Sequence, residues 1–293
     1  IDPSDRQYYQ PGFTLIASGI YKPEEVWKRQ EDCIPSGVKW IKDSVTAVDP
    51  IWNNVVTTSN GKISYDFLVL VPGIQINWNE IEGFNYNQLG KGNAHCIYDF
   101  KGAQMTWKAM KEFTEKGGKG VYTDTYTKHK CGGAPKKICL LTADYARKHD
   151  HREQLNLTYY TAEKDLYDVK YFTPRLKEIY KERNVPIELN TRVKGIDTEK
   201  KQVYFERIEK NGEEKIVTPF VEDYDFLHFT PPMSAPNFVK EAGLGFKEGK
   251  LAAGGWVEVD KETFVHKTYS NIISFGDAAG LPTSKTSAAI RMQ

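Results

Sequence analysis

No apolar run in this chain approaches the roughly 20 residues of a membrane-spanning helix. The longest, 67–71 and 272–275, are strand-sized. Cysteine is scarce: four among 293 residues, at 33, 96, 131 and 139. They form no close pair with zinc-ligand spacing, and four are too few for a secreted disulfide scaffold. No metal site is expected. The net charge is +1, so no polyanionic partner is implied and nucleic acid is not an expected one. No signal peptide, long repeat, low-complexity tract or Pro-rich linker is visible. A complete Gly-x-Gly-x-x-Gly is also missing. Gly243-Leu244-Gly245 comes nearest and lacks the third glycine, so the phosphate cradle is absent from these residues or lies ahead of Ile1.

What is present is ordinary for a soluble globular fold: 40% hydrophobic and 27% charged residues, in a chain long enough for two domains. The first residue is isoleucine and the last run, 287–293, reads as helix. Both ends look cut, and the expectation is an internal piece of a longer protein whose targeting segments lie elsewhere.

Alternation of apolar and polar residues predicts a half-buried strand over 38–48. Asn60-Gly61 predicts a type I′ hairpin between 53–58 and 62–71, because both central residues of that turn need φ > 0. The strand runs into Val71-Pro72-Gly73, a turn suited to a ligand's approach. A helix over 100–115 should stop at Gly117-Gly118. Strand 120–123, a helix after Pro135, strand 155–160, helix 173–183 and strand 186–190 follow. Strand–helix alternation of this kind indicates a parallel sheet with helices on its faces. Residues 194–217 read as an antiparallel meander turning at Asn211-Gly212. Further strands are expected at 223–230, 253–259 and 268–277, the last ending at Gly276-Asp277. A helix should open at 281–286 with Thr283 or Ser284 as cap. His95, His228 and His266 stand alone, with a structural role as the default for each, and Cys139 lies on an apolar helical run suited to the core.

The stretch 128–135, Lys-His-Lys-Cys-Gly-Gly-Ala-Pro, carries the chemistry. A thiol attacks as thiolate, and neighbouring cations or a helix N-terminus favour that form. Pro135 suits the first helical position. Cys131 therefore reads as a nucleophile in a glycine-rich loop ahead of a helix. The alternative, a small buried hydrophobe in a tight turn flanked by solvated charges, stays open.

Six stretches, in order along the whole chain, resemble sulfide:quinone oxidoreductase, specifically the group that includes the animal mitochondrial enzymes. They are Tyr9-Gln10-Pro11, Ile34-Pro35-Ser36-Gly37-Val38, Lys130-Cys131-Gly132-Gly133-Ala134-Pro135, Thr230-Pro231-Pro232-Met233, Trp256-Val257-Glu258-Val259-Asp260, and Gly276-Asp277 with Leu281-Pro282-Thr283-Ser284-Lys285-Thr286. The resemblance implies an α/β fold of two Rossmann-like, glutathione-reductase-like domains. Residues 1–98 and 222–293 would form an incomplete FAD-binding domain, and 99–221 a second dinucleotide-fold domain carrying the redox cysteine.

The resemblance further implies that Cys131 is one of two redox cysteines that bridge and carry sulfane sulfur. By the same analogy Gln10, Val45, Asp277 and Lys285 contact FAD, with Lys285 facing the flavin's pyrimidine end; a surface capping role is the alternative for Lys285. Hydrogen sulfide, a quinone and a thiol sulfur acceptor are the implied partners. The mitochondrial inner membrane would be met through a segment after Gln293, where the second cysteine would also lie. An NADH:quinone dehydrogenase-like flavoenzyme and a non-catalytic truncated product are the rival readings.

Overall fold

A computed structural model describes residues 1–167, 169–212 and 214–293. The organising element is a parallel sheet of five strands. In spatial order they are Ile187–Glu188, Leu155–Tyr160, Gly118–Thr123, Phe226–His228 and Ala94–His95, and every neighbouring pair is parallel. Val121, Tyr122, Phe226, Leu227 and His228 in its centre are fully buried, as strands covered on both faces must be.

Helices Phe100–Lys116, Ala134–Lys148 and Thr173–Glu182 alternate with the strands as expected. Asp99 caps the first through a bond from the Gly102 amide to Oδ1, 2.8 Å. Glycine is required at 102 because a Cβ there would lie 2.2 Å from the Cys96 carbonyl oxygen. That helix ends at Gly117, φ +80°. The second begins with Pro135 in its first turn and ends with Arg147 and Lys148, in the sense its dipole favours.

The meander is three antiparallel strands, Thr191–Asp197, Gln202–Asn211 and Glu214–Asp223. Gly212 has φ +63°, as a turn there demands; Glu213 of the expected Asn211-Gly212 hairpin lies outside the described residues. A second antiparallel sheet comprises Val45–Asp49, Asn54–Thr57 and Gly61–Ser64. Leu68–Val69 pairs in parallel with Ile272–Ile273.

Four local expectations are corrected. Residues 38–44 are not strand: the backbone there bonds the chain's start, with the Asp2 amide donating to Ile41 O at 3.1 Å. The hairpin at Asn60-Gly61 is no two-residue turn. Thr57 pairs with Gly61, and the Asp43 carboxylate accepts the Ser59 and Asn60 amides and the Asn60 side chain at 2.9, 3.0 and 2.7 Å. Only Gly61 of the pair has positive φ. Residues 253–259 make isolated bridges at Val257 and Val259 rather than a strand. The last helix is Ser287–Ile290, capped by Thr286, whose Oγ1 accepts the Ala289 amide at 3.1 Å; Thr283 and Ser284 stay in the loop.

Two hydrophobic cores result. One packs the parallel sheet against its helices around Tyr122, Tyr159, Tyr180 and Phe226. The other gathers Val55, Leu244, Trp256, Val257 and Ile272. Ile74 packs against both.

His95 and His228 are paired neighbours in the sheet, and His228 is also in register with Tyr122. Burial pushes His95 down to about 4 and His228 to about 3. Both imidazoles are therefore neutral in the fold, whereas in the unfolded chain they take up protons near 6.5. The stability they carry is present above that value and is lost as pH falls through it towards the folded values. Each accounts for about 2 kcal/mol between pH 7 and pH 5. Urea unfolding at the two pH values is expected to show this drop, and His95→Leu to shrink it by about that amount; an undiminished drop in the variant would place the proton uptake elsewhere.

Candidate functional site

The loop 124–133 leaves the carboxyl end of strand Gly118–Thr123 and enters helix Ala134–Lys148, the edge of a parallel sheet where ligands gather. Cys131 sits in it at φ +51°, a left-handed conformation that is costly for a residue with a side chain. Three hydrogen bonds hold it there. Its amide donates to Lys285 O at 2.8 Å, its carbonyl accepts the Ala134 amide at 2.8 Å, and Tyr98 Oη donates to the same carbonyl at 3.1 Å. The side chain is half-buried, with Lys137 Nζ 4.0 Å from Sγ. Cys96 and Cys139 are buried outright, and burial pushes both thiols up, Cys96 to about 12. Cys33 is exposed.

Cys131 opens on a cleft of about 910 Å³. One wall belongs to the parallel-sheet core, through Asp124, Cys131 and Lys136; the other, through Ala235 and Trp256, to the second core. Lys128, Lys136, Lys137, Lys240, Lys250 and Lys285 line it with Glu80, Asp124 and Glu163, so positive charge prevails. Such a cleft favours anions. His129 is also on the wall, its Nδ1 2.9 Å from Thr127 O.

Lys285 reaches the cleft from the 281–286 loop but turns its ammonium inward. Nζ donates to Asp277 O at 2.6 Å and Ala279 O at 3.0 Å, and lies 3.7 Å from the centre of the Trp256 ring, a cation–π contact. Burial pulls its pKa down to about 8; the Asp277 carboxylate opposes this and Lys128 adds to it. Burial raises Asp277, with Lys285 and Lys130 opposing. Lys130 is likewise lowered by burial, and its Nζ donates to Gln10 Oε1 at 2.7 Å.

Of the residues singled out from the sequence, Cys131 and Lys285 thus line one cleft and are joined by a backbone bond, Asp277 supports Lys285, and Gln10 holds Lys130. Val45 pairs with Thr57 and packs towards the second core; it does not line the cleft. His266 is structural: Nε2 lies 3.1 Å from Leu244 O, and Nδ1 accepts the Thr268 and Tyr269 amides.

Sequence reading missed the pair beneath the loop. Lys136 and Asp124 form an ion pair of 2.9 Å with side chains 7% and 1% exposed. Asp124 Oδ2 also accepts Tyr159 Oη at 3.1 Å and Thr161 Oγ1 at 2.8 Å, and Oδ1 accepts the Ala162 amide at 3.2 Å. Lys136 Nζ donates as well to Gly132 O at 3.0 Å. The signal was a lysine in the first turn of a helix, where the dipole disfavours a cation unless an acid answers it. Among the described residues no group of three or more metal-ligating side chains occurs, and no helix is long and apolar enough to cross a membrane.

No family model matches the chain. It is 37% identical over 297 aligned positions to the mitochondrial sulfide:quinone oxidoreductase of Mus musculus and 36% identical over 293 to that of Dictyostelium discoideum; each alignment takes in 100% of this chain and 62% of the relative. The chain thus spans about three-fifths of the length of these curated relatives. Among solved structures it superposes on the sulfide:quinone oxidoreductase of Aquifex aeolicus with TM-score 0.77 at 23% identity, covering 97% of this chain and 64% of that one. It also superposes on NDH2 of Plasmodium falciparum with TM-score 0.67 at 14% identity, covering 96% and 59%. The resemblance read from the six stretches is borne out along the whole chain, and the expected α/β fold of paired dinucleotide-binding type is the fold observed.

Because the Asp277 carboxylate is what holds Lys285 up against burial, Asp277→Asn is expected to move the Lys285 titration further below about 8. Lysine side-chain NMR over pH 6–11 would follow it; an unmoved midpoint would show that the two groups do not sense each other.

Proposed function

We propose that the intact protein is a flavoenzyme that oxidises hydrogen sulfide at Cys131 and delivers the electrons to a membrane quinone. The observation that carries this is the bond from the Cys131 amide to Lys285 O, within a cleft between the two cores. It ties the loop of a half-buried sulfur to the loop of a buried ammonium, both on the lining of that cleft. The likeness to proteins named sulfide:quinone oxidoreductase over the full chain supports the substrate.

The residues fit FAD. The cleft is of the size that takes ligands of that class, and Gly276, beside Asp277, has φ +70°, a backbone conformation that favours glycine. From the cleft wall Lys285 would meet the cofactor, which supplies a two-electron acceptor, with Asp277 supporting Lys285 and Gln10 fastening Lys130 behind it; Val45, implied by the resemblance, lies off this cleft. Lys285, an ammonium lodged between two carbonyls and an indole, would stabilise negative charge developing at the flavin's pyrimidine end. In domain terms the reading assigns 1–98 with 222–293 to the FAD-binding domain and 99–221 to the second. The strands Ala94–His95 and Phe226–His228, where the chain passes between them, complete the second domain's sheet.

Cys131 does the sulfur chemistry. Hydrosulfide, drawn by the basic cleft, attacks a bridge between Cys131 and a second cysteine after Gln293. A bond forms to the incoming sulfur, which keeps its hydrogen; the bridging S–S bond breaks. One cysteine is left as persulfide and the other as thiolate holding the displaced electron pair. A thiol acceptor then removes the sulfane sulfur. The relatives' mitochondrial names support a mitochondrial location, and the reading places the protein on the inner membrane through its C-terminal region.

In the full-length protein Cys131→Ser is expected to abolish bleaching of the flavin by sulfide while leaving flavin content unchanged. Normal bleaching would exclude Cys131 as the essential thiol. Faster bleaching by NADH than by sulfide in the unaltered protein would instead favour a dehydrogenase.

A further inference from the structure

The Asp124–Lys136 pair is an unusual thing to bury. Two charges leave water at a cost of several kcal/mol each, and the lysine does so at the end of a helix that repels it. The first core around it is otherwise rich in Tyr and Phe, and an apolar pair of similar volume would serve packing as well. What an apolar pair cannot supply is the third bond, from Lys136 Nζ to Gly132 O, 3.0 Å.

Gly132 follows Cys131 directly. Its carbonyl belongs to the peptide whose orientation depends on backbone torsions just after Cys131, the residue strained at φ +51°. The other three bonds at this turn involve Cys131's own amide and carbonyl. Lys136 grips the following peptide instead, from the helix beyond the loop. Asp124, at the end of strand Gly118–Thr123, is locked by Tyr159, Thr161 and the Ala162 amide. It therefore transmits the rigidity of the sheet to the lysine. Lys136 is 5% exposed, which leaves little freedom for another rotamer.

We infer that Lys136, anchored by Asp124, is a positioning residue for Cys131: it clamps the Gly132 carbonyl and thereby keeps the strained cysteine presenting its sulfur to the cleft beside Lys137. This deepens the functional reading above and rests on it for the consequence in turnover, but not for the effect on the thiol itself.

The test uses the full-length protein with its cofactor. Removing Lys136 alone strands a buried carboxylate and invites unfolding, so the primary variant is Asp124→Asn/Lys136→Met, which leaves no buried charge. Lys136→Arg is the conservative companion, since a guanidinium fork can still meet both the carboxylate and the carbonyl. Three quantities are read: Tm, the rate at which iodoacetamide alkylates reduced Cys131 as located by peptide mass analysis, and kcat and KM for sulfide.

The double variant is expected to keep its Tm within a few degrees, yet alkylate about tenfold more slowly and lose kcat by a similar factor with KM little changed. Lys136→Arg should recover most of both rates. A double variant that alkylates and turns over as the unaltered protein does would overturn the inference and leave the pair a packing element. Absence of any sulfide-dependent bleaching in the unaltered protein, with the alkylation difference intact, would sink the functional reading and spare the positioning role.

Discussion

The lining of the cleft around Cys131 depends on one backbone hydrogen bond between segments more than half the chain apart. The Cys131 amide donates to the Lys285 carbonyl, and the bridge between Lys130 and Lys285 runs parallel, as neighbouring strands of a sheet can. Each partner belongs to a loop that could wander. Joined, they close the gap between a core built on a parallel sheet and a core built around Trp256. A loop-to-loop contact of this kind carries high closure entropy, so it persists only because both loops are fastened elsewhere: one by Tyr98 and Lys136, the other by the inward ammonium of Lys285.

Charge at the site is handled in three different ways. Lys130, Lys136 and Lys285 are all substantially withdrawn from water, and each is answered differently: by a glutamine amide oxygen, by a carboxylate, and by two carbonyls with an indole face. Only one of the three is directly ion-paired. The two others share the more distant Asp277 carboxylate, so net positive character remains at this end of the cleft for an anion to meet.

The sequence disclosed the regular parts because their periodicity and caps are local. Helices Phe100–Lys116 and Ala134–Lys148 are bounded by Asp99, Gly117 and Pro135, each of which acts on its immediate neighbours. Cys131 stood out through its flanking cations and glycines for the same reason. What escaped was set by partners far along the chain. Asp43 bends the Asn60-Gly61 hairpin from outside it; residues 38–44 exchange a strand partner for the chain's first residues; the stretch 281–286 cannot become helix while Lys285 serves the Cys131 loop. Asp124 and Lys136 escaped because a lysine in a first helical turn says only that an acid answers it, not which one, and the two meet only across the loop.

The strand order has a consequence for biosynthesis. Phe226–His228 lies between Ala94–His95 and Gly118–Thr123, so the late strand wedges between two that leave the ribosome far earlier. Until it arrives, the inner edges of both early strands stay open, and Phe113 and Tyr122 await the Phe226 ring, which stacks on the first and tilts against the second. Nascent chains halted before that point would display unpaired, sticky edges. Closure of the sheet's centre is thus a late event in the making of this domain.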